Sequence, residues 1–124
     1  LDVKNELSKQ IDLALSVGIK NEQIIIDPGI GFAKNLYQNL ALLRNLEEFV
    51  AMKYPLLIGA SRKRFIGSVI NESDPNKRIY GTAAVASRCV IAGVDYLRIH
   101  DIKPIRQVVE MTKSIIWLIT NLQY

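Results

Sequence analysis

Three short apolar runs set the frame of this chain: Ile24 to Ile26, Leu56 to Ile58 and, within VDYLRI, Val94 to Ile99. Each ends in a cluster of polar residues. The clusters are evenly spaced, with 34 positions from Asp27 to Ser61 and 35 from Lys63 to Arg98. Amphipathic stretches of helical period fill the gaps. A strand that reaches the next strand only through such a helix comes back parallel to it. The spacing therefore constrains the chain to successive βα units around a parallel sheet, a periodicity of architecture without a repeat of sequence.

The helices follow from the same pattern. Leu7, Ile11, Ala14 and Leu15 form a stripe that Asp2 can cap and Gly18 can close. A second helix is expected from about Leu36 to Met52, and a short third one capped by Ser61 and running to Val69 or Ile70. The polar stretch Asn71 to Lys77 reads as a loop. A helix from about Ile79 to Ala92 stops at Gly93, and the last opens with Pro104 near its first position and runs to about Thr120. The order is α-β-α-β-α-α-β-α. The first two strands are continuously apolar, as expected when helices cover both faces. Three strands are few for a doubly wound sheet and only part of a (β/α)8 barrel. The expectation is a partial barrel, because all three strands end in polar groups on one side, where barrels carry their functional residues. The chain opens on Leu1 with a helical pattern already under way, so it is expected to be a piece of a longer protein.

Composition matters mainly for what it removes. No apolar run approaches the roughly 18 residues that span a bilayer, and no signal peptide is evident, so no membrane partner is expected. A single cysteine, Cys89, excludes an internal disulfide and suits a reducing compartment. One cysteine and one histidine cannot close a zinc site, and no metal ligands are expected within this chain. The formal charge of +4 is modest, and basic residues gather between Arg62 and Arg88. No aromatic side chains interleave with them as stacking platforms, so a small anion is the expected partner and nucleic acid is not.

The three strand ends carry the candidate chemistry. Asp27, in DPGIGFAK, can be a turn former that bonds its own backbone, or a carboxylate that accepts two N–H bonds from a heterocycle. Phe32 could line such a pocket. At the second end, Ser61 can cap a helix, and Arg62, Lys63 and Arg64 in its first turn would oppose the helix dipole unless an anion binds there; a merely solvated basic face is the alternative. At the third end, alternation puts Arg98 and His100 on one face, a natural pair for phosphate. Asp101 can orient the imidazole or cap the last helix. A ligand with a hydrogen-bonding ring and a phosphate tail fits all three.

The motifs DPGIGFAK, IGASRKRF and YLRIHD, in this order and at these separations, resemble the C-terminal part of the dihydropteroate synthases, which belong to the pterin-binding (β/α)8-barrel family. The resemblance covers nearly the whole chain. It implies that residues 1–124 form about the last three βα units and the preceding helix of one barrel domain whose N-terminal half is absent. It implies an enzyme of folate biosynthesis, a transferase that joins 6-hydroxymethyl-7,8-dihydropterin diphosphate to 4-aminobenzoate and releases diphosphate. Asp27, Lys63, Arg98 and His100 would bind the pterin diphosphate, with Lys63, Arg98 and His100 catalytic. Phe32, Gly59, Ser61 and Arg64 would shape the aminobenzoate pocket, at which sulfonamides compete in the family. The resemblance also implies Mg²⁺ held by an asparagine outside this segment, a cytoplasmic location (an organelle in plants or protists) and a homodimer when complete, for which Ile115, Ile116, Trp117 and Ile119 offer apolar surface. The segment alone would be inactive. The alternatives are the pterin-binding domain of a methyltetrahydrofolate methyltransferase, disfavoured by SRKRF and RIHD, and a non-catalytic pterin-binding paralogue.

Overall fold

The computed structural model describes residues 2–121, with the backbone alone for 119–121. It is a mostly helical α/β chain around a small parallel sheet. Helices α1 (Asp2–Ser16), α2 (Leu36–Arg44), α3 (Leu46–Val50), α4 (Arg64–Ile70), α5 (Ile79–Ala92) and α6 (Ile102–Asn121) alternate with strands β1 (Leu57–Ile58) and β2 (Tyr96–Leu97). The order of the elements follows expectation in part: the first expected strand is reduced to a bridge, the other two strands are shorter, and the expected second helix is split in two. The Ile24–Asp27 segment makes one bridge, Ile26 to Leu56, on the far side of β1 from β2, and β1 pairs with β2 through Leu57–Tyr96 and Ile58–Leu97. The third strand is cut short at its start because the Asp95 carboxylate, and not a strand partner, accepts the Leu56 N–H at 2.9 Å.

Both helix ends foreseen from glycine form as expected. Gly18 and Gly93 sit at φ +94° and +92°. Ile19 N–H reaches the Ala14 carbonyl and Val94 N–H the Cys89 carbonyl, the six-residue closure of a Schellman cap. The long second helix, in contrast, breaks at Asn45. The Asn45 side chain donates to the Ala41 carbonyl at 2.7 Å, and its backbone leaves helical geometry at φ −110°, ψ 28°.

Ile26, Leu56 and Ile58 are buried against the helices with Leu42, Leu46, Phe49, Phe65 and Cys89. Burial pushes the Cys89 thiol up to about 12, so it is an inert core group. The opposite face of the sheet is not covered as expected: Ile25 is 51% and Tyr96 50% exposed, because no element among the described residues packs there. By register, Asp27, Gly59 and Arg98 belong to this open face.

Arg88 staples α5 across the break between α2 and α3. It donates to the carbonyls of Leu43 and Arg44 and forms a two-pronged pair with Glu47 at 2.6 and 2.7 Å. It therefore belongs to the scaffold and is not one of the cations left for an anionic ligand. The Arg88 guanidinium pulls the Glu47 carboxyl from 4.5 to about 2. A carboxyl held below its unfolded value stabilises the fold above that value and loses the contribution as pH falls through its folded one. Glu47→Gln is therefore expected to lower the urea midpoint at pH 7, with variant and parent converging as pH falls from 4.5 towards 2. A midpoint difference unchanged down to pH 2 would count against the pair.

Candidate active site

The glycine-rich turn after Ile26 is held from inside. Asp27 Oδ1 accepts the Gly29 N–H at 2.8 Å, so the turn-forming role foreseen for Asp27 is real. It uses one oxygen, and no group among the described residues donates to the other. Gly31 N–H donates at 2.8 Å to Oδ1 of Asn39, a residue 3% exposed on α2 whose amide donates to the Asn35 carbonyl. Lys34 Nζ donates to the carbonyls of Gly29 and Phe32. Phe32, 61% exposed, is thereby presented at the open side of the turn.

The end of β1 differs from expectation. Helix α4 begins at Arg64 with Lys63 at its cap position, so Ser61 caps nothing and Arg62 and Lys63 precede the first turn. Arg62 instead bends the chain in left-handed geometry at φ +58°. That bend is fastened on every side. Arg62 N–H donates to Thr82 Oγ1, its carbonyl accepts from Arg78, and its guanidinium grips both Asp101 oxygens at 3.1 and 2.8 Å and Asn76 Oδ1 at 3.0 Å. The pairing lowers the Asp101 pKa and raises that of Arg62, the side-chain hydrogen bond being the main cause in each case. Asp101 thus orients Arg62 and not the imidazole of His100, and Pro104 is the third residue of α6. Arg78 is 8% exposed and spends its guanidinium on the carbonyls of Glu72, Ser73 and Arg62.

Two of the remaining cations at this end, Lys63 and Arg98, each lie over a glycine. A Cβ on Gly31 (φ +83°) would come within 2.6 Å of the Lys63 side chain, and one on Gly59 within 2.7 Å of the Arg98 guanidinium. Lys63 donates to the Ile30 carbonyl and places Nζ 4.1 Å from the centre of the Phe32 ring. Burial lowers the Lys63 pKa, the nearby Arg98 charge lowers it further, and Asp27 opposes both. Ser61 is buried at 5%; its Oγ accepts the His100 N–H at 3.1 Å and lies 2.9 Å from His100 Nδ1.

Phe32, Gly59, Ser61, Lys63, Arg98 and His100 line one pocket of about 320 Å³. Asp27 is close enough to act on the charge of Lys63. Arg64 stands apart: it lines a neighbouring hollow of about 480 Å³ with Lys34, Asn35, Asn39 and Ser68, reached past Lys63. Sequence reasoning missed Asn39 and Gly31, although the second glycine of DPGIG, at φ +83°, was a visible signal for a backbone that a side chain must cross.

This geometry has relatives. A family model described as "Pterin binding enzyme" matches residues 1–100. The dihydropteroate synthase of Synechocystis sp. is 42% identical over 114 residues, which cover 92% of this chain and 39% of that protein. The crystal structure of dihydropteroate synthase from Thermus thermophilus in complex with 6HMPPP superposes with a TM-score of 0.87 at 41% identity, covering 93% of this chain and 45% of that one. The same enzyme in complex with 4-aminobenzoate also gives 0.87 at 41% identity, covering 92% and 44%. The chain spans about two fifths of the length of the curated relatives it matches. The matched residues take in all three sheet segments and the whole pocket lining from Phe32 to His100, and the chain belongs to the pterin-binding enzyme family.

Proposed function

We propose that residues 1–124 form the last βα units of the single barrel domain of a dihydropteroate synthase. The complete enzyme joins 6-hydroxymethyl-7,8-dihydropterin diphosphate to 4-aminobenzoate. The observation that carries this reading is one pocket that collects Lys63, Arg98 and His100 beside the carboxylate of Asp27. The open sheet face at Ile25 and Tyr96 supports the barrel, whose interior that face would line once the remaining strands close it.

The reaction breaks the bond between the pterin methylene carbon and the diphosphate oxygen and forms a bond from that carbon to the aniline nitrogen, which gives up a proton. Heterolysis leaves positive charge on the pterin and negative charge on the diphosphate. Asp27 faces the first charge: its second oxygen can accept from the pterin ring edge, and its negative charge stabilises the cation. Arg98 and His100 face the second, and fixed donors aimed at developing charge are the strongest catalytic device of this kind. Lys63, whose Nζ lies over the Phe32 ring, would donate to the pterin with its stem packed beside it. Phe32 offers the aromatic wall for aminobenzoate, and for the sulfonamides that would compete with it.

Among the described residues no three His, Cys, Asp or Glu side chains group as metal ligands. We assign the ligand for the Mg²⁺ that the resemblance implies to a part of the protein outside this segment. No helix among the described residues is long and apolar enough to cross a membrane. We place the enzyme in the cytoplasm as a homodimer joined through α6, which presents Met111, Ile115 and Leu118 at helical spacing, each about half exposed or more. Ile119, assigned to the same surface, has its side chain outside the described residues.

In the full-length enzyme, Lys63→Ala and Arg98→Ala are each expected to lower kcat for pteroate formation by about 10²–10³-fold with unchanged circular dichroism. Turnover at the parent rate in either variant would refute the assignment. Gly59→Ala puts a methyl group where the Arg98 guanidinium lies. It is expected to raise KM for the pterin diphosphate by about tenfold, the loss of one charge-assisted hydrogen bond, and KM for aminobenzoate much less. The reverse ranking would detach Gly59 from Arg98.

A further inference from the structure

The buried hydroxyl of Ser61 decides which face of chemistry His100 can show. Ser61 Oγ has one proton to give and two lone pairs to receive. One lone pair takes the His100 backbone N–H at 3.1 Å. The ring nitrogen Nδ1 is 2.9 Å from the same oxygen. If Nδ1 carried the proton, both Oγ lone pairs would be filled from His100 and the hydroxyl proton would have no acceptor among the described residues, in a residue only 5% exposed. A buried polar group left unpaired is costly, because it has given up its hydrogen bonds to water without replacing them. With the proton on Nε2 instead, Ser61 donates to Nδ1, and both the hydroxyl and Nδ1 are satisfied. Among the described residues no other group bonds the hydroxyl, and Ser61 is buried. Its neighbour Arg62 is locked to Asp101, the neighbour of His100, so two independent links join the same pair of strand ends.

We propose that Ser61 is a positioning residue that donates to Nδ1 of His100 and so keeps the ring proton on Nε2, so that His100 meets its ligand as a hydrogen-bond donor to an anion and not as a base. The hydroxyl serves the diphosphate through His100 and does not serve aminobenzoate directly. The orienting partner of one ring nitrogen sets what the other can do. Arg98 and Lys63 line the same pocket and supply the charge, so His100 is needed there for direction. The inference rests on the diphosphate site proposed above.

The test uses the full-length enzyme, with inorganic diphosphate as a product inhibitor and with both substrates. Ser61→Ala is expected to raise the inhibition constant for inorganic diphosphate and KM for the pterin diphosphate by about tenfold, the loss of one hydrogen-bonded contact. KM for aminobenzoate should stay within about twofold, inside the ordinary scatter of single substitutions. Ser61→Thr, which keeps the hydroxyl, should restore most of the loss. On a His100→Ala background, Ser61→Ala should cost nothing further, because the two residues act as one unit. An effect of Ser61→Ala on aminobenzoate alone, additive losses in the double variant, or a threonine variant as weak as the alanine one would each overturn the proposal. Failure of the parent enzyme to bind inorganic diphosphate would instead sink the diphosphate site itself.

Discussion

The pocket depends on the Arg62–Asp101 pair. Backbone pairing alone could not hold two strand ends in register here, because β1 and β2 share only two residue pairs. The side chains supply the rest. Arg62 closes a left-handed bend that costs an ordinary residue about 1 kcal/mol, and it does so because its amide, carbonyl and guanidinium are all engaged. With Arg62 fixed, its two neighbours in sequence are fixed as well. Ser61 is turned towards His100, and Lys63 is turned back across the glycine turn. An exposed ion pair would be worth little. This one matters through geometry, since it joins the second strand end to the third.

The glycines act as clearance more than as flexible joints. Gly31 and Gly59 belong to different strand ends, yet each leaves the space of one Cβ for a cationic side chain lying across the backbone. Asn39 completes the arrangement by holding the Gly31 amide from a buried position on α2. A helix face that looks purely structural thereby sets the height of Lys63 above the turn.

Much of this was legible in the sequence, and the limits have physical causes. Element order, both glycine-closed helices and the convergence of Asp27, Lys63, Arg98 and His100 followed from periodicity, φ preference and strand polarity. These are local signals. The break at Asn45 was not legible, because a helical stripe continues through it and only a side-chain bond to Ala41 competes with the helix. Ser61 as a helix cap, and Asp101 as the group that orients His100, were misread for a related reason. Serine before a helical run suits a cap, and aspartate beside histidine suits an orienting group. Both instead pair across 39 residues with partners that no spacing rule connects. The open sheet face was unreadable because an apolar run looks the same whether one or both faces are covered.

The basic residues near the second strand end looked at first like one cationic patch, and the structure divides them. Arg62 is neutralised by Asp101, Arg78 is consumed by three carbonyls, Arg88 is bound to Glu47, and Lys34 is spent on the turn. Lys63 and Arg98 are left facing one small pocket, and the charge of Arg98 disfavours protonation of Lys63. Two like charges side by side carry a repulsion that Asp27 only partly offsets. Burial is the larger reason that the Lys63 pKa is lowered, and an anion entering between the two charges would relieve the part that Arg98 adds. The same pair binds an anion more strongly as its negative charge grows, which is the preference that the proposed diphosphate leaving group requires as its bond to carbon breaks.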